Sequence, residues 1–343
     1  MFRPSCRHFD ALKTHTTTPL VRPIIHRRIG PQFAFVLGTS ALAVGGAAWL
    51  TNKDTADRSR GFWSTWGRSP GTGLQADLAR SRFNELHARA ESVVSRFRGN
   101  RLVVILSEKW LELGEDKRTS AGLIATFAAV FLAWKLPAST KFNKWLMHDP
   151  LSGRSFTQLT SVFSHQTLAH FAFNSIGLFG FSTACFSYFG YSQMELLPRS
   201  TSRYEFVAFF VAAGLASSFA SHVWFSRIIA GRLLRTGSAE TVRASILPSL
   251  GASGAVYSCL TITALSYPDS SVALIFLPFV PIPIGAATSA LILVDLAGLI
   301  RGWKMFDHVA HLSGAMFGVW YWIFGHELFE KLRVRMLPHK PVR

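Results

Sequence analysis

Seven stretches of the chain stay apolar for long enough to cross a bilayer, at 33–51, 119–136, 167–189, 204–226, 250–267, 284–300 and 305–325. A spanning helix needs about 17 to 25 such residues, so seven membrane helices are expected. Pro278, Pro281 and Pro283 break an otherwise continuous apolar run and separate the fifth helix from the sixth. Between the first and second stretches the pattern changes. Leu74, Leu78, Leu86, Val93 and Phe97 recur at helical spacing among mixed charges, including Asp77, Arg80, Arg82, Glu85, Arg89 and Glu91. That predicts a surface helix inside a polar linker, 52–118. In residues 141–149, apolar bulk alternates with charge, and Phe142 and Trp145 stand beside lysines, as in a segment lying at the bilayer interface. The pattern as a whole is that of an all-α polytopic membrane protein.

Composition agrees. Of the 343 residues, 49% are hydrophobic and only 16% charged, where a soluble domain has about a quarter charged. The net charge of +17 raises the question of nucleic acid. No compact basic domain with interleaved aromatics is present, however. The Lys and Arg residues lie between spans and at both ends, where membrane topology places them, so the expected partner is the lipid bilayer and not nucleic acid. Cys185 and Cys259 fall within spans and Cys6 near the start, without a CxxC pair or a disulfide framework. Residues 1–32 set Arg3, Arg7, Lys13, Arg22, Arg27 and Arg28 against the single acid Asp10, the composition of a mitochondrial transit peptide. The alternative is the positive flank of the first membrane helix at 33–51. A basic tail, 326–343, ends the chain.

Three polar clusters interrupt the apolar helices. The third span opens with His165, His170 and Asn174, of which the last two are four residues apart and share a helix face. Polar groups at membrane depth are costly unless paired, which makes them functional candidates, although interhelical hydrogen bonding would also account for them. No Cys or carboxylate stands beside these histidines to complete a metal set, so no metal site is expected. The fifth span contains Gly251, Ser253, Gly254 and, one turn on, Tyr257. Serine among glycine and alanine is common packing chemistry, and taken alone it favours packing over catalysis. The seventh span carries His308, His311, Gly314 and Gly318; the last two form a GxxxG pair that allows a close crossing, with His311 at its edge. Asp295, in the sixth span, has no chemical role assignable from sequence.

Taken together, the clusters make a chemical set. A serine hydroxyl becomes a nucleophile when a histidine takes its proton, and the resulting oxyanion needs donors such as Asn NH2, a His N–H or a backbone N–H. Ala255 stands where a GxSxG elbow would need glycine, so this is serine chemistry outside the α/β-hydrolase fold.

GASGAVYS at 251–258, the HxxxN of His170 and Asn174, and the AHxxGxxxG from Ala310 to Gly318 resemble, in that order, the three signatures of the rhomboid intramembrane proteases. The resemblance covers residues 119–325. It implies a six-helix core, here with an extra helix ahead of it as in the mitochondrial rhomboids. It implies a Ser–His dyad without a third acid, with Ser253 as nucleophile and His311 as general base. Oxyanion donors would be His170, Asn174 and the Ser253 N–H. Gly251 would shape that hole, Tyr257 would stack beneath His311, and His165 would be structural. The loop around Trp303, Met305 and Phe306 would be a mobile cap. No cofactor is implied. The expected substrates are single-pass proteins of the mitochondrial inner membrane, cut in or near their transmembrane segments. The alternatives are a catalytically inactive relative that binds membrane proteins, and a transporter. The first typically lacks the serine or histidine, and both are present. The second needs paired ionisable groups at mid-membrane or inverted repeats, and the sequence has neither.

Overall fold

The computed structural model describes residues 25–58, 72–97, 100–137, 139–191, 196–274 and 277–337. Most of the transit-like segment therefore lies outside the described residues. Fourteen α-helical elements follow in order among them: α1 Gly30–Arg58, α2 Thr72–Arg96, α3 Arg101–Glu112, α4 Glu115–Ala133, α5 Asn143–Leu146, α6 Thr157–Thr160, α7 Leu168–Tyr191, α8 Arg203–Val223, α9 Ala230–Thr236, α10 Ala239–Ser245, α11 Ser253–Ser266, α12 Ile284–Arg301, α13 His308–Trp320 and α14 His326–Arg335. A π-helical turn, Trp224–Ile229, runs α8 on into α9. Gly30–Arg58, Arg203–Thr236 and Ile284–Arg301 are long and apolar enough to cross a membrane, and α11 is a shorter apolar helix. Leu37 and Leu42 on α1, Phe173 on α7, and Leu293, Val294 and Ile300 on α12 point outward and are exposed, as lipid-facing residues must be. The chain is an all-α polytopic membrane protein.

The seven expected spans correspond to α1, α4, α7, α8, α11, α12 and α13, with shifted ends. The shift that bears on the polar clusters is at α11. Its helix was expected from residue 250, but it begins at Ser253 because Gly251 has φ +125°, a conformation no helix contains. His165, expected at the opening of a helix, sits in the turn before α7. The connector broken by prolines holds a hairpin of β1 Ser271–Leu274 and β2 Leu277–Pro283, paired antiparallel with Ser271 opposite Pro283. Of the segment expected as a basic tail, His326–Arg335 is helix α14, with Phe329, Glu330 and Arg333 buried. The linker carries α3 as well as the one helix anticipated.

At the centre, Phe127 of α4, Phe189 of α7, and Phe206, Phe209 and Phe210 of α8 are fully buried with Ala255, Cys259 and Ile262 of α11. Aromatic bulk fills the wide gaps, and small residues set the close ones. Ser258 of α11 donates to the Gly314 carbonyl of α13 at 2.6 Å, and a methyl group at Gly318 would come within 2.7 Å of the Ser258 carbonyl oxygen. These contacts make α11 and α13 one rigid pair.

The extra helix α1 packs along α8, with Ala47 and Ala48 against Ala208 and Phe329. Its C-terminal end joins a buried charged network. Asn52 Nδ2 donates to the Arg333 carbonyl at 2.8 Å, and Arg333 Nε donates to Asn52 Oδ1 at 3.1 Å. Arg333 also pairs with Glu330 at 2.9 Å, Glu330 with Arg199, and Arg199 with Glu205 at 2.7 Å. Tyr321 and His326 complete the set on Glu205, at 2.9 and 2.7 Å. Each buried charge here meets an opposite one, the condition under which burial is tolerable.

Candidate active site

Four helix ends converge at one level of the bundle: the N-terminal ends of α7, α11 and α13, and the C-terminal half of α12. The Ser253 side chain is only partly buried. His311 lies in the first turns of α13, and its Nε2 is 2.8 Å from Ser253 Oγ. The closeness follows from the glycine seam, because α11 and α13 cannot approach so nearly with larger residues at 254 and 314. The Tyr257 ring stacks on that of His311, with centroids 4.5 Å apart and planes at 14°. One helical turn separates Ser253 from Tyr257, so a single face of α11 presents both to the same imidazole.

The loop before α11 is held on several sides. The Gly251 N–H donates to the Ser161 carbonyl at 2.9 Å, and the Ala252 N–H to His165 Nε2 at 3.4 Å. Ser249 exchanges both backbone hydrogen bonds with His148 at 2.9 Å. A Cβ at Gly251 would fall 2.5 Å from Cε1 of His170, so glycine is required twice over, by the positive φ and by that ring. The arrangement leaves the Ser253 N–H at the start of α11, among the N–H groups that have no intrahelical acceptor. His170 and Asn174 stand on α7 at the same end. The Asn174 amide donates to the His170 carbonyl at 2.9 Å. The His165 and His170 rings meet edge to face at 4.9 Å, which makes His165 a prop for both His170 and the loop.

The acid is where the geometry departs from a bare dyad. Asp295 Oδ1 lies 3.0 Å from His311 Nδ1 and 2.6 Å from His308 Nδ1, and Tyr257 donates its hydroxyl to Asp295 Oδ2 at 2.5 Å. The sequence carried a faint signal for this. Asp295 lies about as far before the turn at Gly302 as His308 and His311 lie after it, so antiparallel neighbours would face each other there.

Further polar partners had no sequence signature. Asp307 caps α13 by accepting from the Ala310 N–H at 3.0 Å, and it accepts from Ser221 of α8 at 2.5 Å. His148, in the segment between α4 and α7, lies 2.9 Å from Thr157 Oγ1 and 3.0 Å from Nδ1 of His222 on α8. Burial and then His222 push the His148 imidazole down to about 3. Trp303, Met305 and Phe306 are exposed, with the Phe306 ring 6.1 Å from that of His311 and the Trp303 ring 6.3 Å from that of His308. Among the described residues no group of three or more His, Cys, Asp or Glu side chains is gathered as a metal site.

Comparison with known proteins places this geometry in context. A family profile described as Rhomboid domain matches residues 152–327. The presenilin-associated rhomboid-like protein, mitochondrial, of Rattus norvegicus is 33% identical over 309 residues, covering 90% of this chain and 70% of that protein. The human protein of the same name is 36% identical over 230 residues, or 66% of this chain and 54% of its own length. Rhomboid protein 1, mitochondrial, of Saccharomyces cerevisiae is 29% identical over 219 residues, covering 63% and 55%.

Proposed function

This chain belongs to the rhomboid family, and on that premise we propose that it is an intramembrane serine endopeptidase of the mitochondrial inner membrane. Its substrates are single-pass membrane proteins, cut within or near their transmembrane segments. The observation that carries the reading is the 2.8 Å contact between Ser253 Oγ and His311 Nε2 at the partly open end of the helix bundle. The mitochondrial location is supported by the names of the relatives and by the basic, acid-poor start of the chain.

The chemistry runs through these residues. His311 Nε2 takes the Ser253 proton as Oγ attacks the scissile carbonyl carbon. The negative charge that develops on the carbonyl oxygen is met by the Ser253 N–H, the Asn174 amide and His170. The protonated imidazole gives its proton to the leaving amine as the C–N bond breaks, leaving an ester on Ser253. Water then loses a proton to His311 and attacks the ester, and the imidazole returns that proton to Ser253 Oγ as the new carboxyl terminus is released. An unpaired peptide carbonyl within the bilayer is costly, so a substrate helix must unwind locally before it reaches Ser253.

The test compares the purified full-length chain with Ser253→Ala in liposomes containing a model single-pass substrate. Cleavage by the wild type alone supports the reading. Cleavage by both removes Ser253 as nucleophile. Absence of cleavage by both folded proteins, with a substrate that other rhomboids cut, favours an inactive rhomboid-like protein that binds membrane proteins.

A further inference from the structure

We propose that Asp295 is a positioning residue for catalysis, holding the His311 imidazole in the tautomer and orientation in which Nε2 faces Ser253. This rests on the Ser253–His311 reading above and extends it from two residues to three.

The Asp295 carboxylate is buried between α12 and α13, with a side-chain exposure of 4%. Burying a charge is costly unless it is fully partnered, and this one has three donors: His308, His311 and Tyr257. A carboxylate can only accept, so the His311 nitrogen facing it must carry the proton. Nδ1–H then points at Asp295, and the lone pair of Nε2 is left for the serine proton. When Nε2 takes that proton, the ring becomes a cation next to a fixed anion, and the charge is offset without any side chain having to move.

Three side chains from two other helices fix the ring: Ser253 and Tyr257 from α11, and Asp295 from α12. Tyr257 acts on both sides, with its ring on the face of His311 and its hydroxyl on Asp295 Oδ2. His308 shares Oδ1 with His311 and lies against Gly298 of α12, where any side chain would overlap its ring. A simple tether between α12 and α13 would be satisfied by His308 alone. The additional reach to Nδ1 of the proposed base is what marks Asp295 as part of the reaction machinery.

The experiment measures kcat and KM of the full-length protein in liposomes for wild type, Asp295→Asn and Asp295→Glu, together with the rate at which a fluorophosphonate labels Ser253. Thermal unfolding of each variant is followed in parallel. The expected result for a folded Asp295→Asn is a kcat lowered on the order of 10²–10⁴-fold with KM nearly unchanged, and labelling slowed in proportion. Asp295→Glu, which keeps the charge, recovers part of the loss. Should Asp295→Asn fail to fold, the double variant Asp295→Leu with His308→Leu removes both partners of the buried pair and asks the same question in an apolar interior. Wild-type kcat and labelling in any folded variant lacking the carboxylate overturn the proposal. A loss of stability with kcat per folded molecule unchanged overturns it as well, and leaves Asp295 a tether. Wild type that neither cleaves nor labels removes the two-residue reading first, so the two failures are distinguishable.

Discussion

Gly314 and Gly254 meet backbone to backbone, so that a methyl group at 314 would overlap the Gly254 carbonyl oxygen. Ser253 is the residue before one of these glycines, and His311 lies one turn before the other. Gly314→Ala therefore pushes apart the two helices that carry the proposed nucleophile and base. Overpacking of this kind costs about 1–3 kcal/mol, and a displacement of about 1 Å costs on the order of 10² in rate. The expected outcome is a protein that still folds, with a lower midpoint of thermal unfolding and cleavage reduced about 10²-fold or more.

On the oxyanion side, Asn174→Ala is expected to lower kcat on the order of 10²–10³ with little change in KM, as for removal of one donor to a developing charge. Gly251→Ala should act less directly, straining a backbone at φ +125° and displacing His170. Its strain is on the order of 1–3 kcal/mol, and fluorophosphonate labelling of Ser253 should slow along with cleavage. Unchanged kcat in Asn174→Ala would take that amide out of the hole.

The His148 segment gives the protein a pH-dependent stability. In the folded chain this imidazole stays neutral down to about 3, whereas unfolded it takes up a proton near its ordinary value of 6.5. The unfolded state thus binds more protons through that window. His148 contributes stability that is fully present above about 6.5 and is lost as pH falls toward 3. Unfolding midpoints should fall between pH 7 and 4, and His148→Gln should flatten that slope while lowering the midpoint at pH 7.

At the opposite end of the bundle, Arg333→Met leaves Glu330 buried with only one of its two cations, Arg199, and removes the Asn52 contact from α1. Breaking one side of a buried ion pair costs about 3–5 kcal/mol. The expected variant melts earlier, yet cleaves at the wild-type rate per folded molecule at low temperature, because the network lies at the other end of α8 and α13 from Ser253.

Much of the architecture was legible because lipid and water impose opposite compositions along the chain. Apolar runs of spanning length marked out α1, α4, α7, α8, α11, α12 and α13, and the ordered motifs around His170, Ser253 and His311 indicated the family. Boundaries were less legible. Nothing in the hydropathy of 250–267 distinguishes Gly251, turned out of the helix, from Ser253, which begins it. The composition at 326–343 reads as a basic tail, yet Arg333 is buried because Glu330 neutralises it and Asn52 hydrogen-bonds it.

The sequence by itself determined which residues must leave water, which small residues permit close crossings, and which few polar groups remain inside. Those are properties of each residue and its near neighbours, and period and composition record them. Only the tertiary structure decided which polar groups meet. Asp295 reads as an isolated acid in an apolar helix, and His148 and His222 as unrelated histidines 74 residues apart. Their partners are set by how antiparallel helices register across the bundle, to within a fraction of a turn. That register is a sum over many packing contacts, and no single stretch of sequence contains it.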